Sequence, residues 1–276
     1  MILNGIDGKD HINIYSKGKT ELGRFLSNFS LSPINLKNDG YFKTIEGYWH
    51  WLEIKDSRFR NLCGYDAKQL SKKLEKNKNV ENFEEKIKEA IDVKLKQHPD
   101  FLHLLGKSTL PLCHYYYFNG FKKDVKHNWL VKHLEDRRNK MKKYLSNKEF
   151  VIVAGSHSFN SEEEYHFLYE ILMNYLVKTE YYTNLSRKLI IVSGNAEGAD
   201  KFGLKFAKKT GLNTTKFIPN WKKYGKKAKC LRNQRMARFS NTCFIFDKGT
   251  NGTINMLENA KNYNLNLNYY NVDLYI

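Results

Sequence analysis

Cysteine is sparse in this chain: Cys63, Cys113, Cys230 and Cys243 stand alone. No C-x-x-C pair occurs and no Cys/His spacing resembles a zinc site, so neither a structural metal nor a metal-dependent activity is expected. Isolated thiols in a chain of 276 residues fit a reducing compartment. Long apolar runs are missing too. None approaches the roughly 20 residues of a membrane span, and Met1 to Asp10 lacks the apolar core of a secretion signal. The expectation is a soluble cytoplasmic protein without a membrane partner. Arginine is scarce, nine residues among 47 Lys+Arg: Arg24, Arg58, Arg60, Arg137, Arg138, Arg187, Arg232, Arg235 and Arg238. Internal repeats are absent.

What is present describes a folded chain long enough for two domains. Hydrophobic residues make up 41% and charged residues 28%, outside the range of disordered chains. Aromatics are high at 14%. The net charge is +18, with 29 Asp+Glu against those 47 cations. Two readings stay open. The charge attracts phosphate-rich partners, or it reflects a lysine-rich codon bias and a merely solvated surface.

A boundary falls near Lys148, dividing the chain into 1–147 and 148–276. Trp129 to Leu145 reads as a helix that turns basic. Phe150 to Ala154 then reads as a β-branched strand ending in Gly155-Ser156. Beyond it strand and helix alternate. Ser161 to Glu164 form a capping box, opening a helix with Tyr165, Leu168, Leu172, Tyr175 and Leu176 on one face. Strands are expected at Leu189–Val192, Thr215–Ile218, Thr242–Phe246 and Leu265–Tyr269. Helices are expected at Asp200–Lys209 (closed by Gly211), around Arg232–Arg238 and at Thr253–Asn262. Such alternation means a mainly parallel sheet with helices on both faces, and ligands of such sheets sit at the C-terminal ends of the strands.

Three small-residue turns fall at those ends: Gly155-Ser156-His157-Ser158, Ser193 to Asp200, and Gly249 to Thr253. Each offers backbone N–H groups and hydroxyls to an anion. Arg232 and Asn233 are expected to face the same pocket; alternatively they belong to an ordinary surface helix. From about residue 150 onward the chain resembles the SLOG superfamily of Rossmann-like domains. The residues that carry the likeness are Gly155-Ser156-His157, S-G-x-A-x-G-A-D at Ser193 to Asp200, P-x-W-x-x-Y-G at Pro219 to Gly225, R-N-x-x-M at Arg232 to Met236, and Gly252-Thr253. His157 stands where that branch has an arginine. The P-G-G-x-G-T-x-x-E signature of the nucleoside-monophosphate-cleaving members is absent. The resemblance therefore implies binding of a nucleotide-like ligand, with Gly155, Ser156, Ser193, Gly194, Gly198, Asp200, Arg232, Asn233, Gly252 and Thr253 around it.

The first half reads as α+β with more helix than strand. Ile12–Tyr15 is a strand, Thr44 to Ile54 an aromatic-rich helix, and Phe83, Ile87, Ile91 and Leu95 line one side of a helix that stops before His98-Pro99. Thr44 can cap its helix, which puts Glu46 in the first turn. A carboxylate there is ordinary helix chemistry. Among bulky rings it is also suited to proton transfer, and the rings can stack on a base or a sugar. N-glycosidic chemistry needs that combination, because the leaving base must be protonated as an oxocarbenium ion develops.

From about residue 12 to 138 the chain resembles the NADAR family. The likeness rests on Leu26-Ser27-Asn28-Phe29 and on Thr44-Ile45-Glu46-Gly47-Tyr48. Trp49-His50-Trp51, Gly64 to Lys68 and Pro111 to Tyr116 are similar to a branch common in phage proteins. NADAR proteins act on N-glycosidic bonds, in riboflavin-pathway intermediates or in ADP-ribosylated guanine. The resemblance implies Glu46 as the catalytic carboxylate. The acidic residue that riboflavin-type members carry late in the domain is missing from His114 to Gly120, and Glu53 stands where some members have a lysine. Lys68 and His114 are the candidates to complete the site, and His114 is equally readable as a core histidine. Arg24, Ser27, Asn28 and Lys68 would hold ribose and phosphates, Phe29 is a further substrate-binding residue, and Trp49, Trp51 and Tyr115 would stack on the substrate or wall the pocket.

The expected architecture is an α+β NADAR-like domain followed by an α/β Rossmann-like one. The expected activity is removal of ADP-ribose from a nucleobase, guanine in DNA, as a phage would use against a host toxin that modifies DNA. The other readings are a small-molecule N-glycosidase and a non-catalytic nucleotide binder. ADP-ribosylated DNA and an ADP-ribose-like nucleotide are the expected partners, no cofactor is expected, and the oligomeric state, homo-oligomers included, is left open.

Overall fold

A computed structural model describes residues 5–77, 79–119, 121–125, 127–183 and 188–275, without the side chains of 118, 180–183 and 251. Arg187 and Gly120 lie outside the described residues. The chain divides into two compact units, 1–141 and 142–276.

The first unit is mainly helical. Its strands are β1 (Ile12–Asn13), β2 (Ile34–Leu36), β3 (Gly40–Phe42), β4 (Leu112–Cys113), β5 (Tyr115–Phe118) and β6 (Phe121–Asp124). They form two-stranded ladders: β1 with β4 in parallel, β2 with β3 and β5 with β6 antiparallel. The helices are α1 (Glu21–Leu26), α2 (Ile45–Ile54), α3 (Gly64–Ser71), α4 (Phe83–Gln97), α5 (Pro99–Lys107) and α6 (Asn128–Leu145). The core gathers Leu22, Leu26, Ile34, Phe42, Ile45, Tyr48, Ile87, Ile91 and Leu134, which no single element could bury alone. Helix α4 ends where Pro99 denies the preceding residue a helical conformation, and Pro99 opens α5 at the one position where its missing N–H costs nothing.

The second unit holds a five-stranded sheet, every pair parallel, in the order β11-β10-β7-β8-β9. The strands are β7 (Lys148–Gly155), β8 (Lys188–Ser193), β9 (Asn213–Lys216), β10 (Thr242–Asp247) and β11 (Asn266–Asn271). Between them run α7 (Glu162–Thr183), α8 (Ala199–Thr210), α9 (Trp221–Tyr224), α10 (Ala228–Phe239) and α11 (Asn251–Asn262). Alternation along β7 decides the layering. Phe150, Ile152 and Ala154 point to one face with Met236 and Ala237 of α10 and Met256 and Ala260 of α11. Val151 and Val153 point to the other with Leu168 and Leu172 of α7 and Phe206 and Ala207 of α8. The unit is thus α/β, a parallel sheet covered on both sides. The capping box at α7 is reciprocal: the Glu164 N–H donates to Ser161 Oγ at 3.2 Å, and the Ser161 N–H to Glu164 Oε2 at 2.7 Å. The third strand is a correction. It covers Asn213–Lys216 rather than 215–218, and Ile218 lies exposed beyond its end. Edge position relaxes the demand for apolar residues on both faces, so Asn213, Thr214 and Thr215 suffice.

Among the described residues no helix is long and apolar enough to cross a membrane. All four cysteines are free thiols.

Candidate functional site

In the first unit the site starts at the cap of α2. Thr44 Oγ1 accepts the Gly47 N–H at 3.0 Å, which fixes the first turn of the helix. Glu46 follows in that turn, and its backbone N–H donates to the Asn28 carbonyl at 3.0 Å. The two motifs that are far apart in sequence are joined by that bond. Glu46 is 8% exposed.

The Glu46 carboxylate is partnered by an imidazole one helical turn later. His50 Nε2 lies 3.2 Å from Glu46 Oε1, and His50 Nδ1 lies 3.1 Å from Glu53 Oε2. Lys76 Nζ closes the chain at 2.8 Å from the same Glu53 oxygen. Ser71 Oγ of α3 sits 3.3 Å from His50 Nε2. Burial works against a charged His50, but the hydrogen bonds to Glu46 and Glu53 outweigh it and hold the imidazole above its ordinary range. Burial likewise pushes Glu53 up, and the bonds from His50 and Lys76 reverse it, leaving its carboxyl below the usual range. A carboxylate beside each nitrogen gives both N–H groups of a protonated His50 an acceptor, which favours that form.

Several expected residues gather beside this chain. Asn28 Oδ1 is buried and accepts no hydrogen bond within the protein. Phe29 follows, with Lys68 Nζ 5.5 Å from its ring centroid. Gly64, at the start of α3, lies so close to Phe29 that an added Cβ would fall 2.5 Å from Phe29 Cα, so this approach requires glycine. His114 is near enough to Lys68 and His127 to feel their charge. Burial above all, then those two neighbours, hold it down at about 4, so it is neutral at neutral pH. Its Nδ1 is buried and unpartnered.

Other expected residues are engaged with the protein itself. Arg24 is exposed, and its Nη1 donates to the carbonyls of Gly18 (2.9 Å) and Lys19 (2.7 Å), bracing its own loop. Ser27 is buried, and its Oγ accepts the Phe29 N–H at 3.3 Å, shaping the turn that presents Asn28. The rings expected to wall the pocket are engaged with protein. Trp49 packs against Phe83, His127 and Trp129. Trp51 packs against Phe42 and Tyr48, with the Lys55 ammonium 3.7 Å from its centroid. The Tyr115 hydroxyl is bonded to His11 Nε2 at 2.8 Å. Helical geometry accounts for the two indoles, since residues three and five positions after Glu46 project to either side of the direction it takes.

Two contributors were not read from the sequence. His50 was legible in principle as the i+4 partner of Glu46. Lys94 was legible as a lysine within the apolar stripe Ile87, Ala90, Ile91 and Leu95. It is fully buried in α4 and donates to the Ser27 carbonyl at 3.0 Å and to Ser30 Oγ at 2.5 Å, pinning both ends of the Asn28 turn. Burial brings its ammonium down to about 7.

The second unit carries a pocket at the C-terminal ends of its strands. Of the expected residues it brings together Gly155, Asp200, Arg232, Asn233, Gly252 and Thr253, and it adds His157 and Lys229. Arg232 is 6% exposed. Its Nη1 donates to Asp200 Oδ2 at 3.2 Å, while its buried Nε has no partner. Burial pushes the Asp200 carboxyl up, and the Arg232 guanidinium only partly offsets it. Lys229 Nζ lies 3.2 Å from His157 Nε2.

The remaining four expected residues support this pocket from behind. Ser156 Oγ accepts the Lys248 N–H at 2.8 Å. Ser193 Oγ donates to the Asp200 carbonyl at 3.1 Å and accepts the Asn195 N–H at 3.0 Å. A Cβ at Gly194 would overlap the Arg232 guanidinium, and one at Gly198, where φ is +81°, would strike the Ser156 carbonyl. These serines and glycines let three loops crowd together; they do not themselves line the cavity.

Compared with family models, with curated proteins and with solved structures, the chain returns no match.

Proposed function

We propose that the first unit is an N-glycosidic-bond hydrolase of the NADAR kind that removes ADP-ribose from a nucleobase, guanine in DNA being the expected substrate. The observation that carries this reading is the Glu46–His50 pair: a nearly buried carboxylate 3.2 Å from an imidazole whose charged form is favoured. In the proposed reaction Glu46 transfers a proton to the departing base nitrogen or takes one from the attacking water, and His50 restores the proton balance from behind. Asn28 Oδ1 supplies a free acceptor for a ribose hydroxyl, and Lys68 faces the phosphates. His114, neutral and unpartnered at Nδ1, can accept a hydrogen bond from the base or from water. Hydrolysis of ADP-ribosylated guanine DNA by the wild type and by Glu46→Gln tests the reading; equal rates sink it. A steep fall of the rate with salt marks a nucleic-acid substrate, and salt independence marks a small metabolite instead.

The second unit, in the same proposal, is SLOG-like and binds a nucleotide through its phosphates. A buried guanidinium with an unused Nε, beside Lys229 and His157, supports that reading. A protein in which this pocket binds ADP-ribose tightly while no substrate is turned over would be a nucleotide-signal binder, and calorimetry with ADP-ribose separates the two cases.

A further inference from the structure

Charge in the second unit is distributed very unevenly. Residues 201–246 contain ten lysines, three arginines and no carboxylate. The rest of that unit, 142–200 and 247–276, holds eight cations against eleven carboxylates. A compositional bias toward lysine would raise the whole unit; it does not explain a segment of net charge +13 set in surroundings of net charge −3.

The densest part of the segment is also the most exposed. From Asn220 to Lys227 every residue is exposed, through α9 and the short turn after it. The sequence there is Asn-Trp-Lys-Lys-Tyr-Gly-Lys-Lys. Trp221 is 56% exposed and Tyr224 43%. Two large rings left on the surface forfeit burial that a core position would provide. Among the described residues none of Lys222, Lys223, Lys226 and Lys227 is paired with a carboxylate. Lys223 Nζ lies 5.1 Å from the Tyr224 ring, so cation and π-face are already side by side. Lys229, one turn further, carries the positive surface to the pocket edge.

We infer that the segment from Trp221 to Lys229 is a docking surface for single-stranded nucleic acid, with Trp221 and Tyr224 stacking on successive bases and the lysines following the phosphodiester backbone. Exposed rings favour single strands because a duplex keeps its base faces covered. The inference does not depend on Glu46 or on the hydrolase reading, because it concerns binding without turnover.

The test uses the full-length chain and the fluorescence anisotropy of labelled oligonucleotides. Oligo-dT and oligo-rU of 20 nucleotides serve as DNA and RNA probes, with a 20-base-pair duplex and phosphatidylserine vesicles as competitors. Single strands are expected to bind, and the relative affinities for dT and rU identify which nucleic acid is preferred. Log affinity should fall with log salt at a slope of about −3.5, for the segment's five lysines at roughly −0.7 per phosphate. Trp221→Ala should weaken binding roughly 5- to 150-fold. Replacing Lys222, Lys223, Lys226 and Lys227 by Glu should abolish it. Both rings are on the surface, so circular dichroism should be unchanged. Absent binding, preference for the duplex, displacement by the vesicles, or unaltered affinity in Trp221→Ala overturns the inference. None of these results bears on hydrolysis by Glu46.

Discussion

The two candidate sites follow opposite electrostatic plans. Around Glu46 the charges alternate: carboxylate, imidazole, carboxylate, ammonium, from Glu46 through His50 and Glu53 to Lys76. Each is compensated by the next, so the array can hold a proton and move it with little change in net charge. Around Arg232 the signs do not balance. One buried carboxylate, itself pushed toward neutrality by burial, faces Arg232 with Lys229 and His157 nearby. In the proposed reading such a pocket is completed by an anion from outside. The proposed reading thus gives proton transfer to the compensated array and anion binding to the uncompensated one.

The comparison is broken most directly at Glu46. Glu46→Gln keeps the shape and removes the proton-transferring group, so hydrolysis of the ADP-ribosylated base should fall about 10²–10⁴-fold. ADP-ribose binding in the Arg232 pocket, followed by calorimetry, should not change. If the variant lost both, the assignment of separate tasks to the two sites would fail.

Arg232→Met reverses the experiment. It leaves Asp200 buried without its cation and should cost about 3–5 kcal/mol in urea unfolding. Adding Asp200→Asn should recover much of that loss, since no charge then remains to be buried. A loss below about 1 kcal/mol in the single variant would mean that the pair does not hold the loops that Gly194 and Ser193 bring together.

pH separates the sites more gently. His50 is raised in the folded protein, so its contribution to stability is complete below its ordinary value of 6.5 and disappears as pH rises through the raised value. Glu53 is lowered, so its contribution is present above its ordinary 4.5 and disappears as pH falls through the lowered value. The array is fully stabilising between 4.5 and 6.5. His50→Gln should cost about 1.5–3 kcal/mol in that window and less above it. Denaturation midpoints measured across pH check this, and a pH-independent loss would show that His50 acts only by packing.

The sequence revealed the parallel sheet and the site chemistry to different depths. Alternation of β-branched strands with capped helices made the parallel sheet legible, because each of those signals is local. The edge strand was misplaced by two residues, because edge burial depends on neighbours the sequence does not show. At the first site Glu46 and Asn28 were legible as motif residues. Their joining bond, the direction of Trp49 and Trp51, and the place of Lys94 beneath the turn were not, since all three are set by packing across α2, α3 and α4; only the presence of a lysine within an apolar stripe pointed to Lys94. At the second, the pattern of small residues located the pocket, and six of the ten expected residues line it. Ser156 and Ser193 were read as ligand donors because a hydroxyl at a strand end suits that role; their bonds to Lys248, Asp200 and Asn195 depend on loop packing the sequence does not show.

The smallest effect concerns the cap that places Glu46. Thr44→Ala removes the Oγ1 that accepts the Gly47 N–H and should cost about 1 kcal/mol of stability. Thr44→Ser keeps an oxygen in place and should cost only a few tenths. What sharpens the comparison is the effect on rate. If Glu46 reacts from a geometry fixed by the first turn of α2, Thr44→Ala lowers kcat for hydrolysis and leaves ADP-ribose binding in the other unit untouched. The bond from the Glu46 N–H to the Asn28 carbonyl gives that turn a second anchor, so the loss should be far smaller than in Glu46→Gln. A Thr44→Ala enzyme as slow as Glu46→Gln would mean that the cap, and not the tie to Asn28, sets where the carboxylate points.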